Sequence, residues 1–280
     1  MAKMQHTKSE WIYRHPPIIR VMHWINVICF FVLLMSGLNI FNSNSSLFWG
    51  KSSYNGTAPL LQIKGKITEQ GEMIGTTTVL GRSFNTSGVL GASITNGNPT
   101  VRAFPPWMTI PDRKWLALAR LWHFFFAWVF VINGLLYIIY SVRSRHLARD
   151  LAPTPHDWRT IGQSIKDHIR FKHPTGEAAK RYNILQKLAY LVVIFVLLPM
   201  VILMGLAMSP MVNTVITGWV DWFGGRQSAR TLHFIVAWAL VAFVFIHVFE
   251  VIITGLWNNL RSMITGRYEI KTHDNEGDQA

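Results

Sequence analysis

Long apolar runs separated by polar segments dominate the sequence, and four of these runs are long enough to cross a bilayer. A membrane-spanning helix needs about 20 mostly apolar residues, whereas the strands of a membrane barrel alternate polar and apolar positions. We therefore predict an all-α integral membrane protein, a four-transmembrane-helix bundle forming one domain over residues 1–280. The predicted helices run from about Ile18 to Phe41, Trp115 to Tyr140, Ile184 to Met208 (kinked at Pro199) and Arg230 to Trp257.

The basic residues lie mostly outside the apolar runs, in three segments. Because lysine and arginine accumulate in cytoplasmic loops, we expect both termini and the basic 141–183 loop to be cytoplasmic. No small-residue cleavage site follows the first apolar run, so we expect a retained signal-anchor. A net charge of +13 also occurs in nucleic-acid-binding proteins, but these residues form no continuous patch, so we expect no nucleic acid partner. The basic residues of the three segments are, at the amino terminus, Lys3, Lys8, Arg14 and Arg20; in the 141–183 loop, Arg143, Arg145, Arg149, Arg159, Lys166, Arg170, Lys172, Lys180 and Arg181; and at the carboxy terminus, Arg261, Arg267 and Lys271.

Two polar segments have features of their own. The 42–114 segment is a long extracytoplasmic insertion rich in Ser, Thr, Asn and Gly, with β character at Thr76–Leu80. It is either a decorated surface loop or a docking platform for an extracytoplasmic partner. In the 141–183 loop, Asp157 is expected to cap a short interfacial helix. Its apolar face would carry Trp158, Ile161, Ile165 and Ile169.

Four of the eleven histidines fall within the predicted spans: His23, His123, His233 and His247. Ionisable groups in hydrocarbon are costly and usually functional. His233 and His247 are fourteen residues apart, which separates them by about 21 Å on nearly the same helix face. Helix order then pairs His23 with His247 and His123 with His233 at matching depths. The single cysteine and the absence of a C-x-x-C-H sequence predict that any haem is held without covalent attachment.

An arginine precedes three of these histidines by three residues: Arg20, Arg120 and Arg230. Residues three apart share a helix face, and each arginine would lie one turn nearer water than its histidine. Arginine pairs bidentately with carboxylates, so we predict that these side chains bind haem propionates. An ordinary basic flank at a helix end is the alternative interpretation.

Helix order, the histidine spacing and four short segments resemble the bacterial di-haem cytochrome b subunits of nickel–iron hydrogenase, formate dehydrogenase and thiosulfate reductase. The thiosulfate-reductase-type branch is the most similar. The resemblance implies two b haems, a periplasmic redox partner of the molybdenum-enzyme kind and quinone exchange in a bacterial inner membrane. The segments that carry it are Arg20–Trp24, Trp122–Trp128, Tyr182–Lys187 and Gly224–His233.

Two histidine ligands per iron leave no open coordination position, which favours electron transfer over substrate chemistry. We expect an electron-transfer subunit of an oxidoreductase complex, with Asn26 and Glu250 as candidate quinone contacts near His23 and His247. Glu250 could instead reach lipid headgroups. Two other functions stay open: a self-contained superoxide:quinone or ferric reductase, and a haem-free membrane anchor or transporter.

Overall fold

The computed structural model describes residues 7–52, 56–170 and 183–273, and it forms two compact units. Unit 1 comprises residues 1–24, 134–196 and 240–280, and unit 2 comprises residues 25–133 and 197–239. Four helical segments are long and apolar enough to cross a membrane, which confirms the four predicted spans to within a few residues. They are α1 (Pro17–Phe41), α2 (Leu116–Arg143), the segment Ile184–Ala207 and α7 (Arg226–Ile253).

The third span is helical throughout but changes geometry near its middle. It consists of α4 (Ile184–Val192), a π-helical stretch (Val193–Leu197) and α5 (Leu198–Ala207). Pro199 lacks an N–H group and cannot donate to the carbonyl four residues earlier. The kink that we predicted at Pro199 stays a prediction, and the structure shows a π-helical stretch that ends two residues before this proline.

The all-α prediction is wrong for the 42–114 segment of unit 2. Apolar runs reveal spanning helices, but short strands outside a membrane need no such run. An antiparallel sheet contains β2 (Ser46–Leu47), β3 (Leu61–Ile67), β4 (Met73–Val79) and β5 (Arg82–Asn85) in that order. The strands β6 (Gly91–Thr95) and β7 (Asn98–Arg102) form a second antiparallel pair.

Glycines bring these two sheets into direct backbone contact. A β-carbon on Gly65 would lie 1.9 Å from the carbonyl oxygen of Gly91, and one on Gly91 would lie 2.2 Å from that of Lys64. The side chain of Asn42, which follows α1, also exchanges two hydrogen bonds with the backbone of Phe104. The 42–114 segment is therefore a packed layer attached to the end of α1. Its apolar core consists of Leu38, Phe41, Leu47, Ile63, Ala103 and Phe104.

The buried Arg102, at the end of β7, forms hydrogen bonds with the segment that follows this strand. Arg102 donates to the hydroxyl of Thr109 at 2.9 Å and to the carbonyl of Asp112 at 2.5 Å. Burial lowers the pKa of Arg102, and the nearby Asp112 opposes that shift. The short 3₁₀ helix Pro106–Met108 lies between these contacts.

In unit 1 the two ends of the described chain pair with each other. Strand β1 (Thr7–Tyr13) runs antiparallel to β8 (Arg267–His273), which follows helix α8 (Leu256–Thr265). The two strands therefore lie on the same side of any membrane that the four helices cross. Lys3 and the basic residues Lys172, Lys180 and Arg181 fall outside the described residues.

The predicted amphipathic helix exists as α3 (Pro155–Ile169), but its cap differs from the prediction. Thr154 is the N-cap residue, and Asp157 occupies the third helical position of a capping box. Asp157 also forms an ion pair with Lys187 of α4, with 2.8 Å between Oδ2 and Nζ. Burial opposes ionisation of Asp157, but hydrogen bonds from Lys187 and Thr154 outweigh it and lower the carboxyl pKa to about 2.

The remaining helical segments are short. In unit 1 a π-helical turn (Leu147–Leu151) precedes α3. In unit 2, α6 (Pro210–Val215) and a 3₁₀ helix (Trp219–Phe223) lead into α7, where the amide of Gly50 donates to the Ser228 hydroxyl at 2.7 Å.

Candidate functional site

The structure brings the four intramembrane histidines together in the two predicted pairs, one in each unit. In unit 1, His23 of α1 and His247 of α7 have ring centroids 6.3 Å apart and ring planes inclined by 64°. In unit 2, His123 of α2 and His233 of α7 have centroids 6.2 Å apart and planes inclined by 66°. The two pairs therefore have nearly the same geometry.

This geometry fits a metal ion held between two rings. Imidazole nitrogens bind metals at about 2.0–2.1 Å, so two rings on opposite sides of one ion have centroids roughly 6 Å apart. No hydrogen bond joins the two rings of either pair among the described residues. The spacing thus leaves a gap of the size that one metal ion requires.

The number of side chains that could bind a metal ion limits which kinds of metal centre are possible. Within the described ranges, no group of three or more His, Cys, Asp or Glu side chains converges on a common point. A structural zinc site takes four protein ligands, and a catalytic one usually takes three. Two histidines per site instead fit an iron whose equatorial ligands come from a porphyrin.

Ser36 of α1 fixes the tautomer of His123. Its Oγ lies 3.0 Å from Nδ1 of His123 and 2.6 Å from the carbonyl oxygen of Val32. A hydroxyl has one proton, and the carbonyl can only accept it, so Oγ accepts from the Nδ1–H of His123. The Nε2 lone pair of His123 is then available for a metal ion.

A backbone carbonyl plays the same part for His233. Its Nδ1 lies 2.8 Å from the carbonyl oxygen of Val201 in α5, so Nδ1 carries the proton and Nε2 is free to bind metal. Each ring also rests against a glycine of the neighbouring helix. A β-carbon on Gly37 would lie 3.4 Å from Cε1 of His123, and one on Gly205 would lie 3.5 Å from Cε1 of His233.

The pair in unit 1 has aromatic neighbours instead. Trp24 meets His23 edge-on at 5.6 Å, and Phe243 stacks on His247 at 5.9 Å and 17°. Neither ring forms a hydrogen bond with any residue that the structure describes. His15, just before α1, lies close to His23. Burial is the largest cause that lowers the pKa of His15 to about 4, followed by Arg14 and His23, so this side chain is neutral at pH 7.

The three predicted propionate arginines make different contacts. Arg20 donates to the carbonyl of Ile264, and Arg230 donates to the carbonyls of Ser46 and Asn44. Arg120 lies over the Phe124 ring, 5.5 Å from its centroid.

One nitrogen atom of these three arginines lacks a hydrogen-bond acceptor in the part of the chain that the structure describes. The Nε of Arg20 is buried without a hydrogen-bond partner among the described residues. A carboxylate acceptor would satisfy it.

Both candidate quinone residues contact another polar side chain of this protein. Oδ1 of Asn26 accepts from Nδ2 of Asn133 at 2.8 Å, within unit 2. Oε1 of Glu250 lies 3.4 Å from Nε2 of His168 at the end of α3, within unit 1.

Sequence reasoning missed Ser36 and Asn133, although polar residues inside apolar runs were a signal for both. The Val201 carbonyl carried no sequence signal.

Comparisons with known proteins identify a family of membrane cytochromes. The family model described as prokaryotic cytochrome b561 matches residues 14–266, which include all four spans and all four paired histidines. A putative protein-methionine-sulfoxide reductase subunit YedZ1 from Azospira oryzae is 27% identical over 241 residues, covering 86% of this chain and 91% of that protein. These matches reach the broad cytochrome b family, and the thiosulfate-reductase-type branch stays a prediction.

Proposed function

The chain belongs to the prokaryotic cytochrome b561 family, and we propose that it passes electrons through two b haems between a periplasmic redox partner and the quinone pool. It is a multi-pass, helical membrane protein of a haem-b electron-transfer family. The observation that carries the proposal is the pair of histidine couples, each at the spacing of a metal-bridged pair. Haem, when bound, supplies a reversible one-electron carrier.

The chain's own side chains hold the two groups in this proposal. His23 and His247 would hold one haem, and His123 and His233 would hold the other. Two histidines at each iron would leave no position for a substrate, so the sites would favour electron transfer over chemistry on a bound substrate.

Positive charge near the histidines binds the propionates. We assign this role to Arg20, Arg120 and Arg230, and the unpartnered Nε of Arg20 supports it for the site in unit 1. Paired carboxylates and guanidinium groups would also shield the propionate charge at the edge of the membrane.

The 42–114 layer is the proposed docking surface for the partner, a periplasmic subunit of the molybdenum-enzyme kind. The charge of the loops supports a position of this layer outside the cytoplasm of a bacterium, with both termini inside, in the inner membrane. The pairing of β1 with β8 supports a common side for the termini. The relative from Azospira oryzae is itself described as a reductase subunit, which supports a complex.

Quinone exchange is proposed near His23 and His247. Glu250 is the stronger of the two candidate residues because it lies three residues after His247, on the same helix face. Its partner His168 is about half exposed, with 49% of its side-chain surface accessible. The His168–Glu250 contact therefore offers a route by which protons from solvent reach a quinone. Asn26 is a weaker candidate, since its carbonyl oxygen is occupied by Asn133.

A pyridine haemochrome assay with protein quantification tests the proposal. We expect two b haems per chain in the native protein and one in each of the variants His233→Ala and His247→Ala. His156→Ala is a matched control because His156 is exposed outside the spans, and it should keep both haems. Two bound haems in either ligand variant, or no haem in the native protein, would contradict the assignment.

A further inference from the structure

A cleft in unit 1 lies between helix α8 and the β1–β8 strand pair. Its volume is about 560 Å³, and it is lined by Trp11, Arg261, Thr265 and Arg267. The lining combines two guanidinium groups with an indole and a hydroxyl. Guanidinium groups bind phosphate and carboxylate oxygens bidentately, so this lining suits an anion.

The charge in the cleft is unbalanced. The Arg261 guanidinium lies over the Trp11 ring at 5.1 Å, and its Nη1 is 3.7 Å from Oε2 of Glu269. Arg267 is exposed and forms no ion pair with any residue in the described ranges. One carboxylate therefore faces two guanidinium groups, and a net positive charge is left for a ligand.

The register of the strand pair explains why these side chains converge. Trp11 is opposite Glu269 and Tyr13 is opposite Arg267. Residues two apart on a strand share a face, so all four lie on one face of the pair. The other face carries Ile270, which is only 3% exposed and packs inward. The charged and aromatic face is therefore the outer one.

The surroundings of the cleft identify the class of ligand. Helix α8 begins three residues after the spanning helix α7 ends, and Gly255, with φ of +108°, lies in the connection. Trp257 and Ile264 of α8 are 75% and 59% exposed. Trp11, which the Arg261 guanidinium of α8 contacts, and Tyr13 are exposed on strand β1. Exposed aromatic and aliphatic side chains beside arginines are typical of the membrane–water interface.

We propose that this cleft binds the phosphate of an anionic phospholipid headgroup. The two arginines supply the charge, and the neighbouring apolar side chains contact the lipid's glycerol and upper acyl region. A soluble phosphate would use the arginines but would gain nothing from the exposed aromatic residues. The ligand is therefore a lipid and not a free anion.

Native mass spectrometry of the full chain in detergent measures this binding during titration with dioleoyl phosphatidylglycerol or dioleoyl phosphatidylcholine. We expect one tightly retained phosphatidylglycerol and no comparably retained phosphatidylcholine. The double variant Arg261→Gln/Arg267→Gln should bind phosphatidylglycerol about 30-fold more weakly, because each arginine near an anionic headgroup contributes about fivefold. Glu269→Gln should bind it more tightly, since it removes the competing carboxylate while Asn258 still holds the Glu269 backbone.

Arg82→Gln is the matched control, because Arg82 is an exposed arginine on strand β5 of unit 2. It should bind phosphatidylglycerol like the native chain, and helical circular dichroism checks that every variant is folded. Unchanged binding by the double variant, or equal retention of phosphatidylcholine, overturns the proposal. Competition by inorganic phosphate at the affinity of the lipid would also overturn it and assign the cleft to a soluble anion.

Discussion

The two histidine pairs have almost the same spacing but hold their rings in different ways. In unit 2, His123 and His233 each use Nδ1 in a hydrogen bond to the neighbouring helix. In unit 1, His23 and His247 are surrounded by Trp24 and Phe243 and make no such bond among the described residues. The fold therefore fixes the tautomer of both rings in unit 2, whereas the described contacts leave it open in unit 1.

This difference has an electronic consequence. An imidazole whose Nδ1–H donates a hydrogen bond is a more basic metal ligand. A more basic ligand favours oxidised iron, so the site in unit 2 should have the lower reduction potential. Three predictions test that ordering and the stability of the unit that carries the other pair.

Removing one ligand from each pair should have the largest effect. His123→Leu should abolish the lower-potential component in a redox titration followed by haem absorbance, and His23→Leu should abolish the higher one. Each change removes one of the two histidines proposed to hold a haem, so the matching haem should lose its binding site. Loss of the same component in both variants would show that the pairing or the ordering is wrong.

The second largest effect concerns the Asp157–Lys187 ion pair, which ties α3 to α4 in unit 1. Asp157→Asn should lower the free energy of unfolding by about 2 kcal/mol at neutral pH, the size expected for a hydrogen bond to a charged group. The pKa of the Asp157 carboxyl group in the folded chain is about 2, below its ordinary value of 3.8. The stabilisation is therefore full above pH 4 and disappears as the pH falls towards 2.

Denaturant unfolding of the native chain and the Asp157→Asn variant at pH 6 and near pH 2 measures this difference. The difference in the free energy of unfolding between the two proteins should be smaller at the lower pH. Asp167→Asn in the same helix is the control, and its free energy of unfolding should differ much less from that of the native chain at either pH, because among the described residues Asp167 bonds only to the exposed Gln163. A difference in the free energy of unfolding that does not change with pH would contradict the assigned role of the Asp157 carboxylate.

A smaller effect is expected from Ser36→Ala, which removes the acceptor for Nδ1 of His123. The loss of a hydrogen bond of about 1 kcal/mol should raise the lower potential by about 40 mV and leave the higher one unchanged. Ser144→Ala is the matched control, because it also removes a hydroxyl bonded to the carbonyl four residues earlier but touches no paired histidine. An equal shift in both potentials would refute the role of Ser36.

Several elements were predictable because their signal is local. The four spans follow from runs of about 20 apolar residues. The four histidines stand out because ionisable side chains are rare in such runs. Their pairing followed from helix order, since a helix that enters at a known side places each residue at a known depth.

Other elements depend on neighbours that are distant in sequence. The strands of the 42–114 segment were missed apart from Thr76–Leu80, because their cohesion comes from glycine contacts between sheets and from Asn42. Asp157 was predicted to be a cap, but its position in the capping box depends on Thr154 and its ion pair on Lys187, thirty residues away.

The sequence by itself determined how many helices this protein could place in a membrane and which histidines they carry, because hydropathy and helical rise are properties of adjacent residues. Only the tertiary structure decided which nitrogen of His123 and His233 is free for a metal ion. That choice depends on Ser36, 87 residues from His123, and on the Val201 carbonyl, 32 residues from His233. A backbone carbonyl is present at every position of the chain, so packing alone selects the one that a histidine meets.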